Sequence, residues 1–407
     1  MKRAISKALA NNVYILILCI LLNTGILARA EDDTSILLET EIKKQERSLE
    51  AYKLLCDKLF LQEAGAYKYP EEFSGVWYQD GLLNIALTDV SEKTTNRYYS
   101  ILQDYADSVT FTRKEFSYNE LALELKKILE ESKVNEIAIY KATVDEKNNQ
   151  IIFETDPSDK ERLLILIKKS NYPVCINIFE SSENKTVDNY DDDLTENNIR
   201  ATTLLQSGMM IQNTSTSEQI TLGACGYYYG NPAIVTCGHS SQASGQTIKK
   251  YVGSTIGTIS YHVYGYDSMG DYEIVQLTNT STYSISNYSF SGSNIIGAYP
   301  DVPVGYTVKY YGGTSGYVSY GTITARDLYV SLPYGSTLAI YHQSEIQLTY
   351  GTCVNGDSGS GIYRTVSGGS QFAGILHGCY SSGGYIYVYF TPYTYINGAG
   401  FTVYTGT

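Results

Sequence analysis

Residues 355–363 read NGDSGSGIY. Asn, Gly, Asp and Ser are the common turn residues, so a polar turn ahead of an apolar run is the plain reading. The sharper reading makes Ser358 a nucleophile on a tight turn, with flanking main-chain N–H groups aimed at a developing oxyanion. A short motif decides little without context. A serine hydroxyl needs a base to take its proton and a third group to orient that base. The rest of the chain has to supply both.

The chain holds four histidines, at 239, 262, 342 and 377. His239 follows the apolar run 232–236 in AIVTCGHSS, where a buried strand ends. Asp271 opens GDYEIVQL, in which apolar residues alternate directly after the acid. A carboxylate at the mouth of a buried strand can lie beside an imidazole. The rival acid, Asp267, stands in the Tyr/Gly loop YGYDSMG with no strand directly behind it. His262 and His342 are expected to face solvent or a groove. No Cys/His ligand spacing occurs, so neither a metal nor another cofactor is expected.

Charge and aromatic content divide the 407 residues near position 200. Of 30 Lys and Arg and 43 Asp and Glu, 25 and 35 fall before residue 201, whereas 28 of 40 tyrosines follow it. The net charge of −13 argues against nucleic acid as a partner. A basic start (Lys2, Arg3, Lys7), the apolar run 13–22 and the small-x-small Ala28-Arg29-Ala30 give residues 1–30 the pattern of a secretory signal peptide. The apolar run is too short to cross a bilayer, and no stable membrane anchor is expected elsewhere. Residues 31–180 read as compact α+β. Apolar spacing predicts helices over 31–66 and 119–133, and turn signals predict hairpins within 69–87, around Gln79-Asp80-Gly81, and within 135–155. Residues 181–207, polar and acidic for most of their length, read as an exposed linker with a processing site. From 208 to 407, short apolar or Tyr-rich runs separated by Gly, Asn and Ser predict an all-β sandwich or barrel.

TCGHS, GDYEIVQL and GDSGSGIY resemble the His, Asp and Ser motifs of chymotrypsin-fold serine proteases, in that family's chain order. The likeness is to the bacterial streptogrisin and α-lytic protease branch. No IVGG-like N-terminus is present. YFTPYTYI (389–396) resembles that branch's strand running into a short C-terminal helix. YPEEFSGVWYQDGLLNIALTD (69–89) resembles the opening hairpin of its pro-region. The resemblance implies an all-β catalytic domain of two antiparallel β-barrels, preceded by an α+β pro-region that aids folding, inhibits, and is cut away between about residues 185 and 210. It implies a secreted, extracellular zymogen, monomeric when mature, that cleaves polypeptides. Ser358 would attack the scissile carbonyl, His239 would take and return its proton, and Asp271 would fix the imidazole. The N–H groups of Gly356 and Ser358 would form the oxyanion hole. Activation cannot use an Ile-Val N-terminus buried against Asp357, because none is available.

The departures from that pattern concern cysteines and the substrate pocket. Cys237 stands where the family usually has Ala, and Ser240 where it has Cys. Cys225 and Cys237 lie symmetrically about Asn231, so a cross-hairpin Cys225–Cys237 disulfide is expected. Cys353 and Cys379 flank the nucleophile loop and the strand AGILHGCY and are expected to pair, bracing the pocket wall. Cys56 and Cys175 either pair or stay free. The pocket is expected from 352–357, 374–378 and Gly383-Gly384, with Gly374, His377 and Gly378 as candidate residues. Glutamyl endopeptidases of this fold place a histidine on that strand to meet a substrate carboxylate. His377 stands one position later, with Leu376 in that place, so it either reads substrate or packs near Asp271. Two readings from other classes compete. One is a catalytically silent secreted β-domain that binds glycans or proteins through its tyrosines. The other is a lipase or esterase, which needs a helix after the serine, and no helix-forming run follows Ser358.

Overall fold

The computed structural model describes residues 31–63, 66–170, 172, 174–180, 204–331 and 339–406. The expected signal peptide and nearly all of the expected linker lie outside the described residues.

The N-terminal α+β region repeats one plan. A hairpin is followed by a helix and then by a strand parallel to the hairpin's second strand. Phe73–Gln79 and Leu82–Leu87 turn at Asp80-Gly81, both at positive φ (54° and 84°), the geometry that suits an Asp-Gly hairpin. Helix Glu92–Leu102, whose first turn is capped by the Ser91 hydroxyl, leads to Val109–Arg113 beside Leu82–Leu87. Ile139–Asp145, Gln150–Thr155, helix Pro157–Ser170 and Ile176–Glu180 repeat the plan. Between the units, helix Tyr118–Val134 opens with a capping box from Ser117 and Glu120. The first helix, Glu31–Lys58, is shorter than the expected 31–66, since strand Leu61–Glu63 follows it closely. The helix over Glu92–Leu102 has no counterpart in the sequence reading. It buries only Tyr98 and Leu102, too few apolar positions to show a helical period.

Two β bodies follow. The first is an eight-stranded sheet in the order Gln219–Thr221, Met210–Asn213, Thr247–Lys250, Thr255–Val263, Tyr272–Leu277, Asn231–Thr236, Ala224–Tyr228, Phe401–Val403, antiparallel throughout. It wraps a core that includes Ile211, Leu222, Ile234, Ile248 and Ile274. The second is a closed antiparallel ring of six strands: Thr307–Tyr311, Val318–Ser331, Ala339–Tyr350, Tyr385–Pro392, Gly369–Ser382 and Gly361–Val366. Closure removes the open sheet edges that invite aggregation. This is the expected two-barrel, chymotrypsin-like architecture behind an α+β region. The β domain reaches back to Leu204 rather than 208. Strand Leu204–Ser207 pairs in parallel with Ser284–Ser289, and Leu205 is fully buried.

The α+β region is built into the second barrel. Strand Ile139–Asp145 pairs antiparallel with Val318–Ser331, extending the barrel's sheet outward. Tyr52, Phe73 and Tyr78 share one hydrophobic core with Tyr299, Val302 and Tyr306. At the seam, Arg326 donates to Glu146 Oε2 at 3.0 Å, to Asp301 Oδ2 at 2.6 Å and to the Tyr52 hydroxyl at 2.7 Å. The Arg326 and Glu146 side chains are 3% and 2% exposed. Arg326→Ala leaves Glu146 buried without its counter-ion, which costs about 3–5 kcal/mol. The expected result is a lower folded yield and a lower Tm of the full chain. Exchanging both partners for apolar residues, Arg326→Met with Glu146→Leu, is expected to recover most of that loss. A single variant that melts with the parent would show that the pair does not hold the seam.

Candidate active site

Asn231–Thr236 and Tyr272–Leu277 are antiparallel neighbours, with Thr236 opposite Glu273. His239 therefore leaves the end of one strand beside Asp271 at the start of the other. Asp271 is fully buried. Its Oδ1 accepts the Gly238 and His239 main-chain N–H groups at 2.7 and 2.8 Å, and its Oδ2 lies 2.6 Å from His239 Nδ1. From behind, the Asp271 N–H donates to the Thr391 hydroxyl at 2.9 Å, and Gln343 Nε2 donates to the same oxygen at 3.1 Å.

The charges follow from this packing. Burial alone would raise the Asp271 carboxyl, but the two neighbouring imidazoles and the N–H donors hold it below the ordinary range. Burial also disfavours a charged His239. The Cys237 sulfur and Asp271 act the other way, and His239 ends well above its ordinary value. Burial lifts the Cys237 thiol, so it is uncharged at neutral pH and the carboxylate supplies the attraction. Glu273, also fully buried, is pushed up to about 8 by burial and does not compete as a second negative charge.

The serine loop is held between the two barrels. Gly356 has φ 90°, and a Cβ there would collide with the Thr314 hydroxyl. Asp357, fully buried, accepts N–H bonds from Thr314 and Ser315 on Oδ1 (3.1 and 2.9 Å) and from Val354 on Oδ2 (3.1 Å). The buried carboxylate is thus met by three amides. Thr221, on the first barrel, donates its hydroxyl to the Gly356 carbonyl and its N–H to the Ser358 carbonyl, at 2.8 and 2.9 Å. Among the described residues, the Gly356 and Ser358 N–H groups meet no acceptor. The Ser358 hydroxyl donates to the His377 carbonyl at 3.1 Å.

Several expectations need correction. Cys225 and Cys237 are free and buried. The hairpin turns at Tyr229-Gly230, both at positive φ, so Cys225 faces Ile234 and Cys237 lies three residues further along. The Cys353–Cys379 disulfide is present; Cys56 and Cys175 are free. Of the two readings of His377, packing near Asp271 is the one the structure shows. The side chain is 6% exposed, with Nε2 3.5 Å from Asp271 Oδ2. Gly374 abuts its neighbouring strand, where a Cβ would strike the Thr391 carbonyl, while a Cβ on Gly378 would enter open space. Asp267 pairs with Lys133 of the α+β region at 3.2 Å and takes no part in the cluster. His262 and His342 are half-buried, and His342 lines a groove with Tyr69, Asp327 and Tyr395, in line with the expectation of solvent or a groove. His262 Nε2 lies 3.0 Å from the Gly238 carbonyl and 3.2 Å from that of Ser241, bracing the loop that carries His239. His342 pairs with Asp327 and stacks on Tyr395.

His239, Asp271 and His377 bring three possible ligand atoms within 4.8 Å of one another. A cation there would have to displace the proton between His239 and Asp271, so the cluster reads first as an orienting hydrogen-bond network. The sequence reading missed Thr391 and His262. Thr391 reaches the Asp271 main chain from 120 residues away, and His262 reaches the loop of His239 from the strand paired with Tyr272–Leu277.

No family model matches the chain, and no curated protein matches it. Its fold is similar to solved bacterial proteases. Nocardiopsis protease is 21% identical, with 50% of this chain and 100% of that chain covered and a TM-score of 0.40. Thermobifida fusca protease A is 19% identical, with the same coverages and TM-score. A glutamic acid specific serine protease that utilizes a histidine triad in substrate binding is 25% identical, over 49% of this chain and 100% of that one, at a TM-score of 0.39. These three solved structures are bacterial serine proteases, each matched by about half of this chain.

Proposed function

We propose that the chain is a secreted serine endopeptidase made as a proprotein, cleaving polypeptides through Ser358, His239 and Asp271 and an acyl-enzyme. The observation that carries this reading is the oriented His239–Asp271 pair, fixed by three N–H bonds on one buried carboxylate at the edge where the Ser358 loop docks. With Nδ1–H given to Asp271, His239 keeps Nε2 as the free base. For reaction, the Ser358 hydroxyl, which donates to the His377 carbonyl at rest, would have to turn to that nitrogen. Attack on a substrate carbonyl then passes the proton to His239, which returns it to the leaving amine. The Gly356 and Ser358 N–H groups would hold the oxyanion, a role worth about 10²–10³ in turnover per donor. Residues 31–180 act as the pro-region, folding aid and inhibitor. The shared core and the continuous sheet support the folding role. The mature enzyme would act outside the cell as a monomer.

A covalent fluorophosphonate probe tests the reading directly. Labelling of Ser358 supports it. Absence of labelling on a processed, folded protein would favour the silent binding module instead.

Specificity follows from charge. Asp357, the one acid in 352–357, 374–378 and 383–384, is buried and spent on amides. His377 is turned toward Asp271 and lowered to about 4, chiefly by burial, so it offers no positive charge at neutral pH. In a peptide library, cleavage after Phe or Leu is expected to exceed cleavage after Glu, Lys or Arg by at least about tenfold, the scale of one missing ionic partner. Preferred cleavage after Glu or Lys would overturn this.

A further inference from the structure

We infer that the edge of the Arg364 guanidinium formed by Nε and Nη2 is a binding site for one small monovalent anion, such as chloride, roofed by the helix Glu31–Lys58. The site lies apart from Ser358, His239 and Asp271 and does not depend on the protease reading.

Arg364 stands in strand Gly361–Val366, two residues after Ile362 and so on the same side of the strand. Ile362 belongs to the hydrophobic core, and Arg364 itself is only 3% exposed. Across the strand pair it faces Gln371, and its Nη1 donates to Gln371 Oε1 at 3.2 Å. The Tyr299 and Tyr306 rings each have their centroid 6.0 Å from its Cζ. The helix pins both rings. The Tyr299 hydroxyl donates to the Leu49 carbonyl, and the Tyr306 hydroxyl bonds that of Ser48, each at 2.8 Å. An aromatic face attracts the charge, but it does not stand in for an acceptor in the guanidinium plane.

Among the described residues, Nε and Nη2 of Arg364 meet no acceptor. The acids whose charge reaches the group are Glu46 and Glu50, and both are engaged elsewhere. Glu46 accepts from the Ser367 N–H and hydroxyl, and Glu50 accepts from the Tyr105 hydroxyl at 3.4 Å. Arg326, the other arginine buried beneath the α+β region, shows what the same edge does when it is matched. Its Nε donates to Glu146 Oε1 at 2.5 Å and its Nη2 to Glu146 Oε2 at 3.0 Å. The two N–H groups on that edge run parallel, a fork that holds one anion from two sides.

Arginine keeps its proton inside proteins, so Arg364 cannot escape burial by becoming neutral, although burial pushes it below its ordinary value. A buried charge needs a counter-charge and acceptors for its donors. One anion on the fork supplies both. Two donors between two rings suit an ion of one charge. Phosphate or sulfate would bring more oxygens and more charge than this edge can satisfy. Because Ser48 and Leu49 cover the rings, the anion is expected to hold the helix against the barrel.

The test uses the full chain carrying Ser358→Ala, which keeps it whole if it cleaves itself. Crystals soaked in sodium bromide are expected to show an anomalous peak on the Nε–Nη2 edge of Arg364. Unfolding is then followed at fixed ionic strength, with chloride exchanged for gluconate. Chloride at about 100-fold its Kd is expected to raise Tm by about 3–5 °C. Arg364→Met keeps the apolar stem without the charge. It is expected to lose the chloride dependence and to melt no lower than the parent in gluconate. Arg364→Lys keeps a charge but no fork, and is expected to retain less than about a third of the shift. If the Met variant does not fold, the Lys variant and the bromide map decide. No bromide peak on that edge, or a chloride dependence undiminished in either variant, would overturn the proposal. A peak without any effect of chloride on Tm would mean an adventitious ion only, and would overturn it as well. Fluorophosphonate labelling of the parent judges the protease reading separately, and none of these outcomes alters it.

Discussion

Ser358→Ala is expected to lower peptide hydrolysis by about 10⁶-fold, to near the background rate, while leaving the fold intact. The substitution removes one oxygen, whose recorded bond is a single donation to the His377 carbonyl. The loop itself is held elsewhere, by the three amide bonds on Asp357, the Thr221 contacts and the Cys353–Cys379 disulfide. Its melting temperature should therefore stay within a few degrees of the parent's. His239→Ala is expected to cost about as much, and the double variant hardly more, because a nucleophile and its base act as one unit. The measurement is turnover of a chromogenic peptide together with fluorophosphonate labelling. Retention of more than about a hundredth of the parent rate in Ser358→Ala would place the nucleophile on another residue, since the mechanism has no second route to an acyl-enzyme.

The parts of this site that the sequence made legible are those fixed by local rules. His239 and Asp271 could be placed because each stands at the end of an apolar run, and such runs become neighbouring strands with their ends at one edge. The GDSGS turn was legible through its glycines, and Gly356 does adopt the positive φ expected of it. Symmetry about a guessed turn centre was a weaker guide. The hairpin that carries Cys225 turns at Tyr229-Gly230, because a two-residue turn with both residues at positive φ matches the twist of the strands. The result is an offset that separates the two cysteines. At His377 alternation leaves packing near Asp271 open, and the ring does lie there, with Nε2 3.5 Å from Oδ2. A bulge inserts one residue and changes which way a side chain points, and nothing in GILHGC announces it. The docking of the α+β region was out of reach for a different reason. Arg326 and Glu146 are 180 residues apart, and a buried ion pair at that separation leaves no local pattern in either segment. Histidines 262 and 342, isolated in sequence, read as facing solvent or a groove, and His342 does line a groove. Their partners, the Gly238 carbonyl and Asp327, come from neighbouring strands and loops.

Asp271→Asn is expected to lower turnover by about 10⁴-fold without unfolding the domain. The amide can keep its oxygen toward the Gly238 and His239 N–H groups, which now bind Oδ1 at 2.7 and 2.8 Å. Its NH₂ group then faces His239 Nδ1 and donates where the carboxylate accepted. That bond selects the imidazole tautomer with the proton on Nε2, so no lone pair remains for the Ser358 proton. The pH profile separates this effect from simple misfolding. In the parent enzyme the base form of His239 is lost as pH falls through a value held well above the ordinary histidine range. Removing the Asp271 charge takes away the attraction that opposes burial, and the His239 value falls below the ordinary histidine range. The acid limb should accordingly move to lower pH while the plateau falls. Asp267→Asn is the matched control. It loses an exposed pair with Lys133 that contributes little in water, and turnover should stay within a few-fold of the parent. A harmless Asp271→Asn beside a crippling Asp267→Asn would mean that the orienting acid is not the one buried behind His239.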